Sequence, residues 1–98
     1  MFIKIHKAYR EVVAICDSEI LGKKFEEGIK VLDLRENFYK GEEKNEEEMI
    51  EIMKDLAMED ATFNIAGEKT VDCALKAGII SKEGIKKVQG VPFALVLL

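Results

Sequence analysis

Residues 61–80, ATFNIAGEKTVDCALKAGII, constrain the fold of this chain more than any other stretch. Residues 63–65 are a short apolar run of β-formers, which predicts a buried strand. Gly67 follows, where the backbone can turn with no Cβ in the way. Val71, Ala74, Leu75 and Gly78 then recur at spacings of three and four, the period of an amphipathic helix. Gly78 stands where a helix-ending glycine belongs. The unit is strand, glycine turn, helix. It directs free backbone N–H groups at whatever lies before the helix start, and it is also a common way to build α/β packing.

The residues before this unit supply the elements it packs against. Residues 2–7 alternate, with Ile3 and Ile5 on one side and Phe2, Lys4 and His6 on the other, as a half-buried strand does. Residues 11–16 contain Val12, Val13 and Ile15 and predict a second strand. The short gap between them predicts an antiparallel hairpin. Asp17 and Ser18 end that strand and cap a brief helical turn that Gly22 stops. Phe25 is expected in the core beneath this turn. Residues 29–34 read as a strand, and residues 37–41, NFYKG, as a turn carrying two aromatics. Asn45 with Glu48 three residues on approaches the capping-box pattern, and Glu46, Glu47 and Glu48 suit the positive end of a helix dipole. A helix over 45–58 is predicted, with Met49, Ile50, Met53, Leu56 and Ala57 as its core stripe.

Beyond the central unit, Ser81 caps one turn through Gly84, and residues 85–88 form a short strand. Gly90 and Pro92 frame a turn, and residues 93–98 form the last strand. The apolar continuity of that strand predicts an interior position covered on both faces. The expectation is one α+β domain over residues 1–98. Its sheet is mixed and mostly antiparallel, of about five to six strands, with two main helices.

Charge is unevenly spread along the chain. The net charge is −4, yet residues 41–60 alone hold nine acids against two bases. The remainder is therefore +3, so overall acidity does not exclude an RNA or phosphate partner. Charged residues are 35% of the chain, mostly Lys and Glu, with one glutamine, a balance that thermophile proteins favour. The N-terminus has no apolar run long enough for a signal peptide, and residues 93–98 fall far short of the ~20 apolar residues of a membrane helix. A cytoplasmic protein with no membrane partner is expected. Cys16 and Cys73 lie 57 residues apart without a C-x-x-C, which predicts free thiols. With His6 the only histidine, ligands for a structural zinc run short, and neither metal nor cofactor is expected.

Three groups of residues are candidates for function. Asn64, Gly67, Glu68 and Lys69 surround the helix start, where an anion could meet free N–H groups. Against this, Glu68 already complements the dipole, and neither GxGxxG nor a P-loop is present, so a plain structural turn is the leading expectation there. Cys16 has Asp17 beside it, which opposes thiolate formation. The hairpin register keeps His6 away from it, so a buried inert cysteine is expected and no catalytic residue is assigned. Lys23, Lys24, Lys82, Lys86 and Lys87 are the basic clusters. Aromatic interleaving is thin, with Phe25, Phe38, Tyr39 and Phe93, and no RNP or KH pattern appears.

The segments CDSEILGKKFEEG, NFYKG, NIAGEKTVDCALKAGII and VQGVPFA together resemble a small archaeal family. It is the domain-of-unknown-function family numbered four hundred and twenty-four. The resemblance spans residues 2–96, and residues 64–80 are its most specific part. It implies an archaeal source and a loose link to translation and ribosome-related genes, and it places no catalytic role on any residue. Three readings follow in order. The first is a non-catalytic binding module with RNA or a translation-linked protein as partner. The second is an anion- or nucleotide-binding enzyme or sensor at residues 64–69. The third is an oligomerising structural protein, its subunits meeting through an apolar edge or the methionines of the 45–58 helix.

Overall fold

The computed structural model describes residues 1–97. β1 (Phe2–His6) and β2 (Val12–Cys16) form the expected antiparallel hairpin, with Phe2 opposite Cys16 and His6 opposite Val12. The chain then leaves the sheet. A 3₁₀ turn, Ser18–Ile20, leads into a separate two-stranded hairpin of β3 (Lys24–Glu27) and β4 (Lys30–Asp33). A single helical turn, α1 (Glu36–Tyr39), and the two-residue β5 (Glu42–Glu43) follow, β5 pairing with the start of β1. Next come α2 (Glu46–Met58), β6 (Thr62–Ala66), α3 (Glu68–Ala77), a 3₁₀ turn at Lys82–Gly84, β7 (Lys86–Val88) and β8 (Val91–Val96). The main sheet has six strands in the order β5-β1-β2-β6-β8-β7. Among the described residues only the central pair, β2 with β6, is parallel. The α+β class and the mixed, mostly antiparallel sheet are as the sequence predicts.

Strand alternation sends side chains to two different layers. On the first face, Ile3, Val13, Ile15, Phe63, Ile65 and Val96 pack against Met49, Met53 and Leu56 of α2 and Val71, Cys73 and Ala74 of α3. Asn45 accepts from the Glu48 N–H at 2.9 Å while Glu48 Oε1 accepts from the Asn45 N–H at 3.1 Å, so the full capping box is present. The second face carries Ala14, Cys16, Ala66 and Val88, covered by Leu32, Leu34 and Tyr39. This cover comes from the 3₁₀ turn with Ile20 and Leu21, the β3–β4 hairpin, Leu34 and α1, and it reaches part of the face.

Several expectations change here. Phe25, expected in the core beneath a turn, is only half-buried against the second-face cluster and lies in a strand, β3. Lys24, Glu26 and Glu27 surround it, and so polar a strand gives no apolar run to read. Ile29 is fully exposed at the hairpin turn and precedes β4. NFYKG contains the helical turn α1, too short to show a period. The last strand begins at Val91 and contains Pro92. Its turn is Gln89–Gly90, both left-handed (φ 50° and 78°), the geometry of a two-residue hairpin. Pro92 is tolerated because its nitrogen, like its carbonyl, faces Gly67 just past the end of β6, where no ladder bond needs an N–H, and the carbonyl accepts from the Gly67 N–H at 2.8 Å. β8 is interior by strand order, yet Leu95 is 58% exposed, so its second face is not covered throughout. Residue 98 of the expected strand lies outside the described residues. Ile52 joins the margin of the α2 core stripe, and Met58 at the end of the helix is exposed.

Leu56→Ala is expected to cost about 2–5 kcal/mol, the range for emptying a core position. Glu51→Ala, on the exposed side of α2, should cost less than ~0.5 kcal/mol. Urea unfolding of both variants checks the assignment of the two helix sides.

Candidate functional site

The four residues 64, 67, 68 and 69 do not form one site. Alternation along β6 turns Asn64 to the second face, whereas Gly67, Glu68 and Lys69 lie at the start of α3. The parallel pairing of β2 with β6 sets Asp17 beside that start, its own N–H extending the ladder to Ala66 O at 3.1 Å. Its carboxylate accepts from the Lys69 N–H at 3.0 Å, the Thr70 N–H at 2.8 Å and the Thr70 hydroxyl at 2.8 Å. The second and third N–H groups of the helix are those an N-cap side chain normally binds. Gly67 is the N-cap and has no side chain, so Asp17 supplies the oxygen from another strand. A Cβ at Gly67 would come within 2.3 Å of Asp17 Cγ, and its φ is 105°. The expected free N–H groups at Lys69 and Thr70 are therefore already bonded. The carboxylate that fills the position is Asp17, not the exposed Glu68. A cavity of about 230 Å³ beside it is edged by Asp17, Glu19, Glu68 and Lys69, and Lys69 Nζ is 3.4 Å from Glu19. Three carboxylates against one ammonium oppose an anion there.

Asn64 instead belongs to a cleft of about 460 Å³ between the second face and the chain segment from β4 to α1. Phe93 and Leu95 of β8 form its floor with Asn64, and Val31, Leu32, Asp33, Arg35, Phe38 and Tyr39 form the opposite wall. Phe38 is held by His6, whose ring stacks on it at 4.6 Å and whose Nε2 donates to Phe38 O at 2.9 Å. His6 is thus half-buried packing, not the exposed residue its strand pattern indicated. Tyr39 meets Phe38 edge-on at 5.1 Å. Burial, then Cys16 and Asp33, push its phenol up to about 12, so the hydroxyl keeps its proton. Arg35 Nε donates to Asp33 Oδ2 at 2.9 Å. Among the described residues, the Asn64 amide takes part in no side-chain hydrogen bond of this kind.

The five lysines of the basic clusters are also dispersed. Lys86 stands opposite Phe93 and Lys87 opposite Pro92, so successive β7 side chains leave on opposite faces. Lys24 is 3.7 Å from Glu26, Lys23 precedes it, and Lys82 lies in the turn after α3. Cys16 and Cys73 are both free and buried. Burial, then the adjacent Asp17, push the Cys16 thiol up to about 11, and burial raises Cys73. Among the described residues no group of three His, Cys, Asp or Glu is arranged to hold a metal ion. No described helix is long and apolar enough to cross a membrane.

Helices on one face of a mixed sheet and a partly open cleft on the other define a small α+β domain. The family model described as "Protein of unknown function (DUF424)" matches residues 6–98, and the chain belongs to that family. It is also similar to a crystal structure of an uncharacterized conserved protein from Methanopyrus kandleri. That likeness has a TM-score of 0.81 and 23% identity and covers 98% of this chain and 90% of the other. It shows the fold. No curated protein matches.

Cleft residues Asp33, Arg35 and Leu95 have no signal of a shared site in the sequence because they come from separate segments. The signal the cleft did carry was its aromatics, Phe38, Tyr39 and Phe93. Asp17 was read as a cap for the wrong turn, since its partner lies 52 residues away.

Asp17→Ala should lower stability by about 1–3 kcal/mol, because it strands buried donors. Gly67→Ala should cost a similar amount, about 1–3 kcal/mol, from its strained φ and its collision with Asp17. Thermal melts of the two single variants and the double variant check this. If the Asp17 contact sets part of the cost of Gly67→Ala, the double variant loses less than the two singles combined. A thiol reagent at pH 8 should label neither cysteine before unfolding. The stability supplied by the neutral Cys16 thiol is complete below its ordinary pKa of 9.0 and is lost as pH rises through about 11.

Proposed function

We propose that this chain is a cytoplasmic, non-catalytic binding module whose partner is RNA, in keeping with the link to translation that its family resemblance implies. The observation that carries this reading is the cleft on the second face. It combines aromatic rings with polar groups and is open on one side, as a stacking platform for bases must be. The charge distribution supports it. Most of the acidic segment 41–60 belongs to α2, which packs on the first face. On the second face, Lys4 and Lys86 leave the strands and Arg35 borders the cleft, against Asp33. A strand of RNA can run across this face with its phosphates near these cations and its bases toward Phe38 and Phe93. The anion reading at residues 64–69 has less support, since Asp17 occupies the Lys69 and Thr70 N–H groups it needs. The exposed Val31, Leu95 and Leu97 keep self-association as a measurable alternative, which sedimentation separates from RNA binding.

Affinity purification from native extract, with and without nuclease, tests whether RNA holds a partner. Binding of the purified protein to single-stranded RNA should weaken with salt, with a log–log slope of about −2 if Lys4, Arg35 and Lys86 each meet a phosphate. Lys86→Glu should weaken binding across sequences. Salt-independent binding, or none, would count against the RNA reading.

A further inference from the structure

Asn64 sits where neither strand propensity nor packing favours it. Asn is depleted in strands. This one occupies the middle of β6, an interior strand, half-buried between Ala14 on β2 and Leu95 on β8. Its neighbours along the same face of β6 are Thr62 and Ala66. Its amide bonds no other described side chain and is not sealed from solvent, so it is accessible from the cleft it lines. A residue that breaks local rules in this way marks function more often than stability.

The surroundings of the amide narrow what it can meet. On the β2 side Ala14 is buried under the second-face cover, so the open space beside Asn64 lies toward β8, where Leu95 and Phe93 line the cleft. Phe93, the next-but-one residue to Leu95 on the same face, offers a ring edge or face, and Phe38 stands across the cleft, fixed by the His6 stack. The ligand is therefore flat. An amide presents one donor and one acceptor side by side, the pattern that matches the N6 amino group and N7 of adenine. At the rim, Arg35 uses only Nε on Asp33. Its terminal amino groups remain for a phosphate, and its side chain is 72% exposed. A volume near 460 Å³ lies within the range of small-ligand pockets.

We propose that the cleft accepts one unstacked adenine of a single-stranded RNA, with Asn64 reading its edge, Phe93 supporting its face and Arg35 meeting a flanking phosphate. This inference rests on the RNA reading above and adds a base preference to it.

The test uses labelled ten-nucleotide RNAs that share one oligouridine background and differ only at a central adenine, cytosine, uracil or abasic position. The wild-type protein should bind the adenine strand on the order of tenfold more tightly than the uracil and abasic strands, the discrimination one bidentate contact provides. Asn64→Ala should bring these affinities together while leaving the melting temperature nearly unchanged, because the solvent-accessible amide bonds no other described side chain. Arg35→Ala should weaken all four strands alike and reduce the salt slope by about 0.7. Equal binding of all four strands by the wild type would overturn the base site and leave the RNA module standing. So would an adenine preference that survives Asn64→Ala. Absence of binding to every strand would overturn both.

Discussion

The carboxylate of Asp17 joins the two halves of this fold. It stands at the end of β2 and closes the start of α3, giving one oxygen to the Lys69 N–H and the other to Thr70. Helix starts leave N–H groups that must find partners when they are buried, and here Thr70 is fully buried. The parallel pairing of β2 and β6 delivers that partner, and Gly67 makes room for it. Removing the Cβ at one position and placing a carboxylate at another are thus one device. The same geometry that lets some helix starts bind phosphate is used here to bind the chain to itself.

That connection fixes the central strands, and the two faces of the sheet then differ in how they are covered. α2 and α3 seal the first face with a continuous core. The second face has a 3₁₀ turn, a small hairpin and a single helical turn over it. These reach Cys16, Ala66 and Val88 but leave Asn64 and Leu95 at the edge of an opening. The opening is therefore a consequence of layer sizes. It puts aromatic rings, an amide and a guanidinium together on the side of the sheet away from the acidic helix.

Legibility from sequence followed element length and pattern strength. α2 was readable because its stripe repeats over thirteen residues and its capping box is local. The β1–β2 hairpin was readable because alternation is local too. β3 was missed because polar residues surround its one half-buried aromatic, and α1 because four residues cannot display a helical period. The start of β8 was misplaced by Pro92, whose position facing Gly67 just past the end of β6 is a tertiary fact. Asn64 lines the cleft, apart from the residues at the start of α3 with which its place in the sequence groups it.

The sequence by itself determined the class of fold, the two long helices, the strand–glycine–helix unit and the uneven charge. Each of these depends on spacings within a few residues, where backbone geometry alone relates one side chain to the next. The tertiary structure decided that Asp17 fills the helix start, that Asn64 faces a cleft with Arg35, Phe38 and Phe93, and that the lysines are dispersed. Those outcomes depend on which strands pair, in which direction and with what cover. Parallel pairing between β2 and β6 spans some fifty residues, and no local pattern records it.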